Sequence, residues 1–236
     1  MQVKLLHSTP LWICSAAIRR CWASEAKSDT FINDRPASID RDGAIVCGIK
    51  DKELIERIGN KNKHKSTLEH LVYSFDIDGI SRACLQELAR HRIASYSVKS
   101  SRYTLKELKD EEPFIHMYVD NDGESVLSTA EGAIERACNY LVEVDGIIDL
   151  SSIYALHSIS KKLKNGKAND KVKYLLPESY KTSLVMTINA RSLQNFLELR
   201  SSSAALWEIR LLAQAIYDAI HDDHKYLFKE CMQQEV

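Results

Sequence analysis

Glu87-Leu-Ala-Arg90-His91-Arg92-Ile-Ala-Ser95-Tyr-Ser97-Val-Lys99-Ser100-Ser101-Arg102-Tyr103 is the stretch to which the rest of this chain answers. The helically spaced apolar positions Ile80, Ala83, Cys84, Leu85 and Leu88 lead into it, and Arg90, His91 and Arg92 stand at the end of that run. A serine-rich turn is expected next, before Lys99 and Arg102. From Arg90 to Arg102 the chain carries four fixed positive charges, one imidazole, four serines and no carboxylate. Guanidinium forks pair with phosphate oxygens, and short hydroxyls complete the remaining hydrogen bonds, so this composition suits a multiply charged anion. Basic residues in the last turn of a helix also complement its dipole without any ligand, and charge alone leaves both readings open.

The whole chain favours a small ligand over a polymer. Its 236 residues set 32 Lys and Arg against 33 Asp and Glu, a formal net charge of -1. Bulk attraction to a nucleic acid is therefore missing, and the positive charge is local. A chain of this length buries a substantial core; with no repeat or low-complexity tract, residues 1–236 are expected to form a single domain. The six cysteines, at 14, 21, 47, 84, 138 and 231, include no C-x-x-C pair. They read as reduced, mostly buried thiols of a cytoplasmic protein. The apolar run at 11–18 is too short to cross a bilayer, and no other stretch approaches that length, so neither membrane nor nucleic acid is expected as a partner. His221 and His224 have the spacing of a metal pair, but two histidines at a helix end are commonly just exposed, and no metal is assigned.

Val3, Leu5 and His7 alternate as a short strand, after which Thr9 is expected to cap a helix to about Trp22. Residues 23–50 read as loop, followed by a short helix from Asp51 to near Gly59. Leu71, Tyr73, Phe75 and Ile77 alternate in a strand with one buried face. Residues 105–112 suggest a short helix stopped by Pro113. A turn at 120–123 then precedes a longer helix over 126–144 with Ala130, Ile134, Ala137 and Leu141 on one face. A helix from Asp149 to Lys162, a lysine-rich loop at 161–173, a strand over 183–188 and a helix from Asn189 follow. The last helix, 204–220, carries Trp207, Leu211, Leu212 and Ile216 as a stripe for core or subunit contact. The expected class is α+β, with mixed helices packed on a small, mainly antiparallel sheet.

Arg90-His91-Arg92, seven residues, Ser100 and the closing Ser101-Arg102-Tyr103 resemble the R-H-R-x7-S motif of the flavin-dependent thymidylate synthases. A second block, Asn189-Ala-Arg191-Ser-Leu-Gln-Asn195-Phe-Leu-Glu-Leu-Arg200, is similar to the family's N-A-R-S-x-x-N-F-x-x-x-R. His64-Lys65-Ser66 through Glu69-His70 looks like the family's histidine-centred loop before a strand. The resemblance covers residues 60–105 and 170–212 well and the remainder in outline. It implies FAD held by His64, Ser66, Arg90, His91, Arg92, Asn189, Arg191 and Asn195. It also implies deoxyuridine monophosphate (dUMP) gripped by Arg90, Lys99, Ser100, Ser101, Arg102, Lys173 and Arg200. Either Gln86 or Glu87 would face dUMP too: the family has Gln three residues before the first Arg, and here Gln86 is four before it. Arg200 would face the uracil ring and stabilise negative charge as a ring carbon becomes nucleophilic, which makes it the catalytic candidate. Ser100 reads as a phosphate ligand, because no histidine or acid is placed by sequence to activate it as a nucleophile.

Carried further, the resemblance implies reductive methylation of dUMP to thymidylate (dTMP), with carbon from methylenetetrahydrofolate and electrons from NADPH through FAD, in a homotetramer whose active sites lie at subunit contacts. Some positions depart from the family pattern. Lys173 stands where an Arg often precedes Leu-Pro, keeping the charge and losing the fork. Ser97-Val98 replace a common Asn-Glu, and Ala204 and Leu206 replace His and Gln ahead of Trp207-Glu208. These departures leave room for a related flavoprotein of altered activity, and the cations by themselves for a nucleotide- or RNA-binding module without chemistry.

Overall fold

The computed structural model describes residues 1–62, 64–119, 121–122 and 124–233. In chain order its elements are β1 (Gln2–Ser8), α1 (Leu11–Cys21), β2 (Phe31–Ile32), β3 (Arg35–Pro36), α2 (Ile49–Ile55), β4 (Val72–Ser81), α3 (Arg82–Leu88), β5 (Ala94–Val98), α4 (Ser101–Thr104), β6 (Ile115–Val119), β7 (Ser125–Thr129), α5 (Ala133–Ala137), α6 (Leu150–Lys164), α7 (Asn169–Val172), β8 (Lys181–Asn189), α8 (Ala190–Arg200) and α9 (Trp207–Ala219). This is an α+β chain, with a four-stranded sheet ordered β1-β4-β8-β5 and two ribbons, β2-β3 and β6-β7. No helix among the described residues is long and apolar enough to cross a membrane. The residues cluster in two compact units. One holds Met1–Ile77, Leu88–Ser97 and Val185–Val236, and the other holds Asp78–Glu87 and Val98–Leu184.

In the first unit, alternation along β4 does what period two requires: Tyr73, Phe75 and Ile77 are fully buried while Asp76 is exposed. Ala190 N donates to Leu71 O at 2.7 Å and Ser74 Oγ meets Thr187 Oγ1 at 2.8 Å, so partners run in opposite directions and β4 and β8 are antiparallel. Leu193, Phe196 and Leu197 of α8 and Leu212 and Ile216 of α9 belong to the same buried set. His224 lies in this core with its Nδ1 2.7 Å from Tyr73 Oη, and burial pushes its pKa below the usual range.

Two local readings change in this unit. Thr9 does not cap α1: its hydroxyl donates to Val72 O and accepts from Val72 N, and Pro10 takes the N-cap position. α2 begins at Ile49 rather than Asp51, because the Asp29 carboxylate, far back in the chain, accepts from Lys50 N and Asp51 N. Residues 23–50, read as loop, are pinned by polar contacts. The buried Asp51 carboxylate accepts from Arg19 Nε and, at 2.6 Å each, from Ser28 Oγ and Thr30 Oγ1. Thr30 Oγ1 in turn accepts from Gly48 N. Beyond α2 the chain makes a π turn, Glu56–Lys61, which leads toward the 64–70 segment.

The second unit has its own apolar core, which includes Leu105, Leu108, Phe114, Ala137, Leu141, Ile153 and Leu156. The helix expected over 126–144 does not form. Ser125–Thr129 instead pairs antiparallel with Ile115–Val119, and only Ala133–Ala137 is helical. Val126 and Thr129 favour the extended chain, and Gly132, at φ 66°, interrupts any continuous helix. Ala137 and Leu141 are buried as expected, while Ile134 is 54% exposed. The ends of the turn read at 120–123 lie outside the described residues. Asp145 and Gly146, at φ 54° and 74°, make a two-residue turn whose flanking Val144 and Ile147 exchange backbone bonds in both directions. The Asp149 carboxylate caps α6 by accepting from Ser152 N. Within 161–173, α7 forms and Val172 joins the core, so the lysine-rich stretch is an ordered part of the unit.

Candidate functional site

α3 ends at Leu88, and Arg90-His91-Arg92 fall in the turn beyond it, while residues 95–97 belong to β5 rather than to a turn. Tyr96 holds this corner. Its Oη lies 3.0 Å from Leu88 O and 2.8 Å from His91 O, so one phenol serves both carbonyls of the turn, and His91 N donates to Leu88 O at 3.1 Å. Burial pushes the Tyr96 phenol up to about 12, which keeps it a protonated donor at neutral pH. Arg90 and Arg92 are exposed, and among the described residues no carboxylate pairs with either. His91 turns inward: it is 9% exposed, its ring stands edge-on to Phe196 at 5.0 Å, and its Nε2 accepts from Arg200 Nε at 2.9 Å.

Phe196 and Arg200 belong to α8, whose start is fixed by Asn189 Oδ1 accepting from Ser192 N at 2.9 Å. Arg191 and Asn195 are exposed and, being four apart, share a face of that helix. Arg191 Nη1 lies 2.6 Å from Glu69 Oε1 in the 3-10 turn Lys65–His70, which also contains Ser66 and is preceded by His64. The first unit therefore assembles segments 64–70, 90–92 and 189–200.

The remaining candidates lie in the second unit. Ser100 is the N-cap residue of α4, and its carbonyl accepts from Tyr103 N and Thr104 N. The Arg102 guanidinium sits 5.6 Å from the Tyr103 ring centre. Asn169 Nδ2 donates to Arg102 O at 2.9 Å, which brings α7 against α4, and Lys173 follows α7 in the chain. Lys99 Nζ pairs with Glu107 Oε1 at 3.1 Å, and Gln86 Nε2 donates to both Glu178 oxygens, at 2.9 and 3.0 Å. Glu87 is half-buried. Arg102 and Lys173 have no carboxylate partner among the described residues. Four residues that shape these patches carried no expected role: Tyr96, Glu69, Asn169 and Glu178. Tyr96 and Glu69 stand inside the motif stretches; nothing in the local sequence marks Asn169 or Glu178.

Exposed guanidinium groups with no acid partner, as at Arg90, Arg92 and Arg102, suit phosphate-bearing ligands, and the second unit's Ser100, Ser101 and Arg102 suit a single phosphate. The stripe on α9 divides: Leu212 and Ile216 are buried, whereas Trp207 and Leu211 are 36% and 56% exposed. Trp207 and Leu211, with Ser201, Arg210, Tyr217 and Met232, line a cleft of about 1050 Å³.

A family model described as thymidylate synthase complementing protein matches residues 4–224. A flavin-dependent thymidylate synthase of Wolinella succinogenes is 55% identical over 236 residues, covering 100% of both chains. One of Campylobacter jejuni strain RM1221 is 49% identical over 237 residues, again covering 100% of each. Among solved structures, thymidylate synthase X of Helicobacter pylori, crystallised with FAD and dUMP, is 47% identical, covers 99% of this chain and 100% of that one, and has a TM-score of 0.82.

Proposed function

This chain belongs to the flavin-dependent thymidylate synthase family, and from that premise we propose that it binds FAD and dUMP and methylates dUMP reductively to dTMP, taking carbon from methylenetetrahydrofolate and electrons from NADPH. The observation that carries this reading is the 2.9 Å bond between Arg200 Nε and His91 Nε2, which joins the R-H-R stretch to the N-A-R-S block across 109 positions of sequence.

The donor set in the first unit fits FAD. A pyrophosphate needs cations and hydrogen-bond donors; Arg90, Arg92, Ser66 and Asn195 are exposed in this unit, and Arg191 is held only by an exposed pair with Glu69, worth about 0–1 kcal/mol, which a phosphate can replace. In this reading His64, Ser66, Arg90, Arg92, Asn189, Arg191 and Asn195 hold the cofactor, and His91, expected among them, borders it only through its place in the R-H-R turn while its ring faces Phe196 and Arg200. Bound FAD supplies the reducing chemistry, and the protein supplies placement and charge. Ser100, Ser101, Arg102 and Lys173 take the dUMP phosphate, and Arg90 and Gln86 or Glu87 complete its contacts. Lys99 reaches the nucleotide by releasing Glu107, and an exposed pair of that kind holds it by only about 0–1 kcal/mol. Arg200 is the fixed cation that offsets negative charge as the uracil carbon becomes nucleophilic, and its held Nε means that little reorganisation is needed when that charge develops.

We take residues 1–236 to act as one cytoplasmic catalytic domain and to assemble as a homotetramer with shared active sites; light scattering on the purified protein tests the assembly. The activity is tested by visible absorbance and by dTMP formation from dUMP, methylenetetrahydrofolate and NADPH. A yellow protein that forms dTMP supports the reading. A colourless protein with salt-steep binding to RNA refutes it, and a yellow one that forms no dTMP indicates a related flavoprotein of altered activity.

A further inference from the structure

Among the residues expected to touch flavin or nucleotide, His91 differs from the others in being buried, at 9% exposure; the rest are exposed or half-buried. Its surroundings explain what a buried imidazole does there. The backbone on either side is fixed, since His91 N donates to Leu88 O and His91 O accepts from Tyr96 Oη at 2.8 Å. The ring is fixed by Phe196, edge-on at 5.0 Å with planes 77° apart. Phe196 and Arg200 are four apart on α8, so they are neighbours on one helix face, and the imidazole that leans on Phe196 meets Arg200 there. The Arg200 Nε–H points at His91 Nε2 across 2.9 Å. Arginine has only donors and does not give up its proton, so Nε2 carries the lone pair and the ring is neutral with its proton on Nδ1.

We propose that His91 is a positioning residue: a rigid acceptor that fixes the plane and direction of the Arg200 guanidinium, and whose main contribution to the reaction passes through Arg200. The proposal rests on the reading that Arg200 faces the uracil ring. An arginine side chain has several staggered rotamers open to it, and a cation acts on a developing charge only when it is already aimed at it.

The acceptor position allows a specific test. The side-chain oxygen of Gln reaches about where His Nε2 stands, whereas that of Asn reaches only the Nδ1 position. His91→Gln should therefore keep most of the turnover, while His91→Asn and His91→Phe lose it, with kcat falling roughly 10- to 100-fold, the scale of a misplaced catalytic group. KM for dUMP and the flavin bound per chain, read at 450 nm on the order of one per subunit as in wild type, should change little. In an Arg200→Ala background His91→Phe should have no further effect on kcat, because the group it aims is gone. Equal losses in H91Q and H91N, or additive losses in the double variant, overturn the positioning role. A variant that loses flavin in proportion to its activity, with unchanged turnover per bound flavin, shows direct cofactor contact and also overturns it. If Arg200→Ala alone turns over normally, both the proposal and the role given to Arg200 fall, whereas an impaired Arg200→Ala with additive H91F leaves that role standing. Should H91F fail to fold, the Gln and Asn pair decides the matter without it.

Discussion

Replacing Asp51 should unfold the first unit's N-terminal region more readily than any surface change, and the contacts allow the size to be worked out. Its side chain is 1% exposed and that of Arg19, its ion-pair partner, 8%. Burial alone would raise the Asp51 pKa, but the bonds from Ser28, Thr30 and Arg19 outweigh it and hold the carboxyl below 3.8. Asp51→Asn leaves a buried guanidinium without its counter-charge, which costs about 3–5 kcal/mol, and Asp51→Ala additionally strands the two hydroxyl donors. At about 2–4 °C per kcal/mol for a chain of this size, Tm should fall by roughly 6–20 °C. The assay is thermal unfolding followed by circular dichroism on flavin-free protein, since bound cofactor stabilises the folded state by mass action. The paired replacement Arg19→Met with Asp51→Leu removes both charges and should recover most of the loss. A drop of less than about 1 kcal/mol in D51N, or a double variant as unstable as D51A, would refute the reasoning. The same contacts predict that the stability Asp51 contributes is present above about pH 3.8 and lost as pH falls below it, because the unfolded carboxyl then binds a proton that the folded one does not.

Arg102→Ala should raise KM for dUMP roughly 10- to 150-fold, the worth of one charge-assisted hydrogen bond, and leave flavin retention unchanged; steady-state kinetics with an unaltered KM would exclude Arg102 from the phosphate site. His224 is buried with its pKa depressed, so below about pH 6.5 the unfolded chain takes up a proton that the folded chain refuses, and stability should fall by up to about 1.4 kcal/mol per pH unit until the folded-state pKa is reached. His224→Asn keeps an acceptor for Tyr73 Oη and removes the titration, so denaturant midpoints at pH 7.5 and 5.5 should differ less in it than in wild type; equal slopes would count against His224 as the source. A Cβ added at Gly48 would lie 2.3 Å from Asp29 Cγ, so Gly48→Ala should displace the carboxylate that caps α2 and cost about 0.5–2 kcal/mol. In an Asp29→Ala background the same change should cost little, and an equal cost in both backgrounds would show that the collision is not with that side chain.

What was legible in advance depends on whether the deciding contacts are local. The alternation of Tyr73, Phe75 and Ile77 and the helix starts at Asp149 and Asn189 are set by residues within a few positions, and these were legible; that the two side chains cap their helices is what the structure adds. The cap of α2 comes from Asp29, 22 residues before Asp51, and the partner of Ser125–Thr129 lies across a turn; no window of helical periodicity registers either. Ala130, Ala137 and Leu141 are buried at spacings that a helix also satisfies, which is why 126–144 read as one. The candidate site was legible as chemistry, in residue types and their order, but not as geometry. Spacing in a motif does not reveal that Tyr96 ties down the R-H-R turn, that Glu69 holds Arg191, or that His91 faces inward to Arg200 while Arg90 and Arg92 face out.

The first unit is drawn from three separate lengths of the chain, and that has a cost during synthesis. Ser74 on β4 waits for Thr187 on β8, 113 positions later, before their strands can lie side by side. At about 5–20 residues per second a ribosome needs roughly 6–23 s to deliver that partner. For that interval β4 has β1 on one side and no β8 on the other, and an open edge beside the apolar Tyr73, Phe75 and Ile77 is the kind of surface that makes an unfinished chain prone to aggregate.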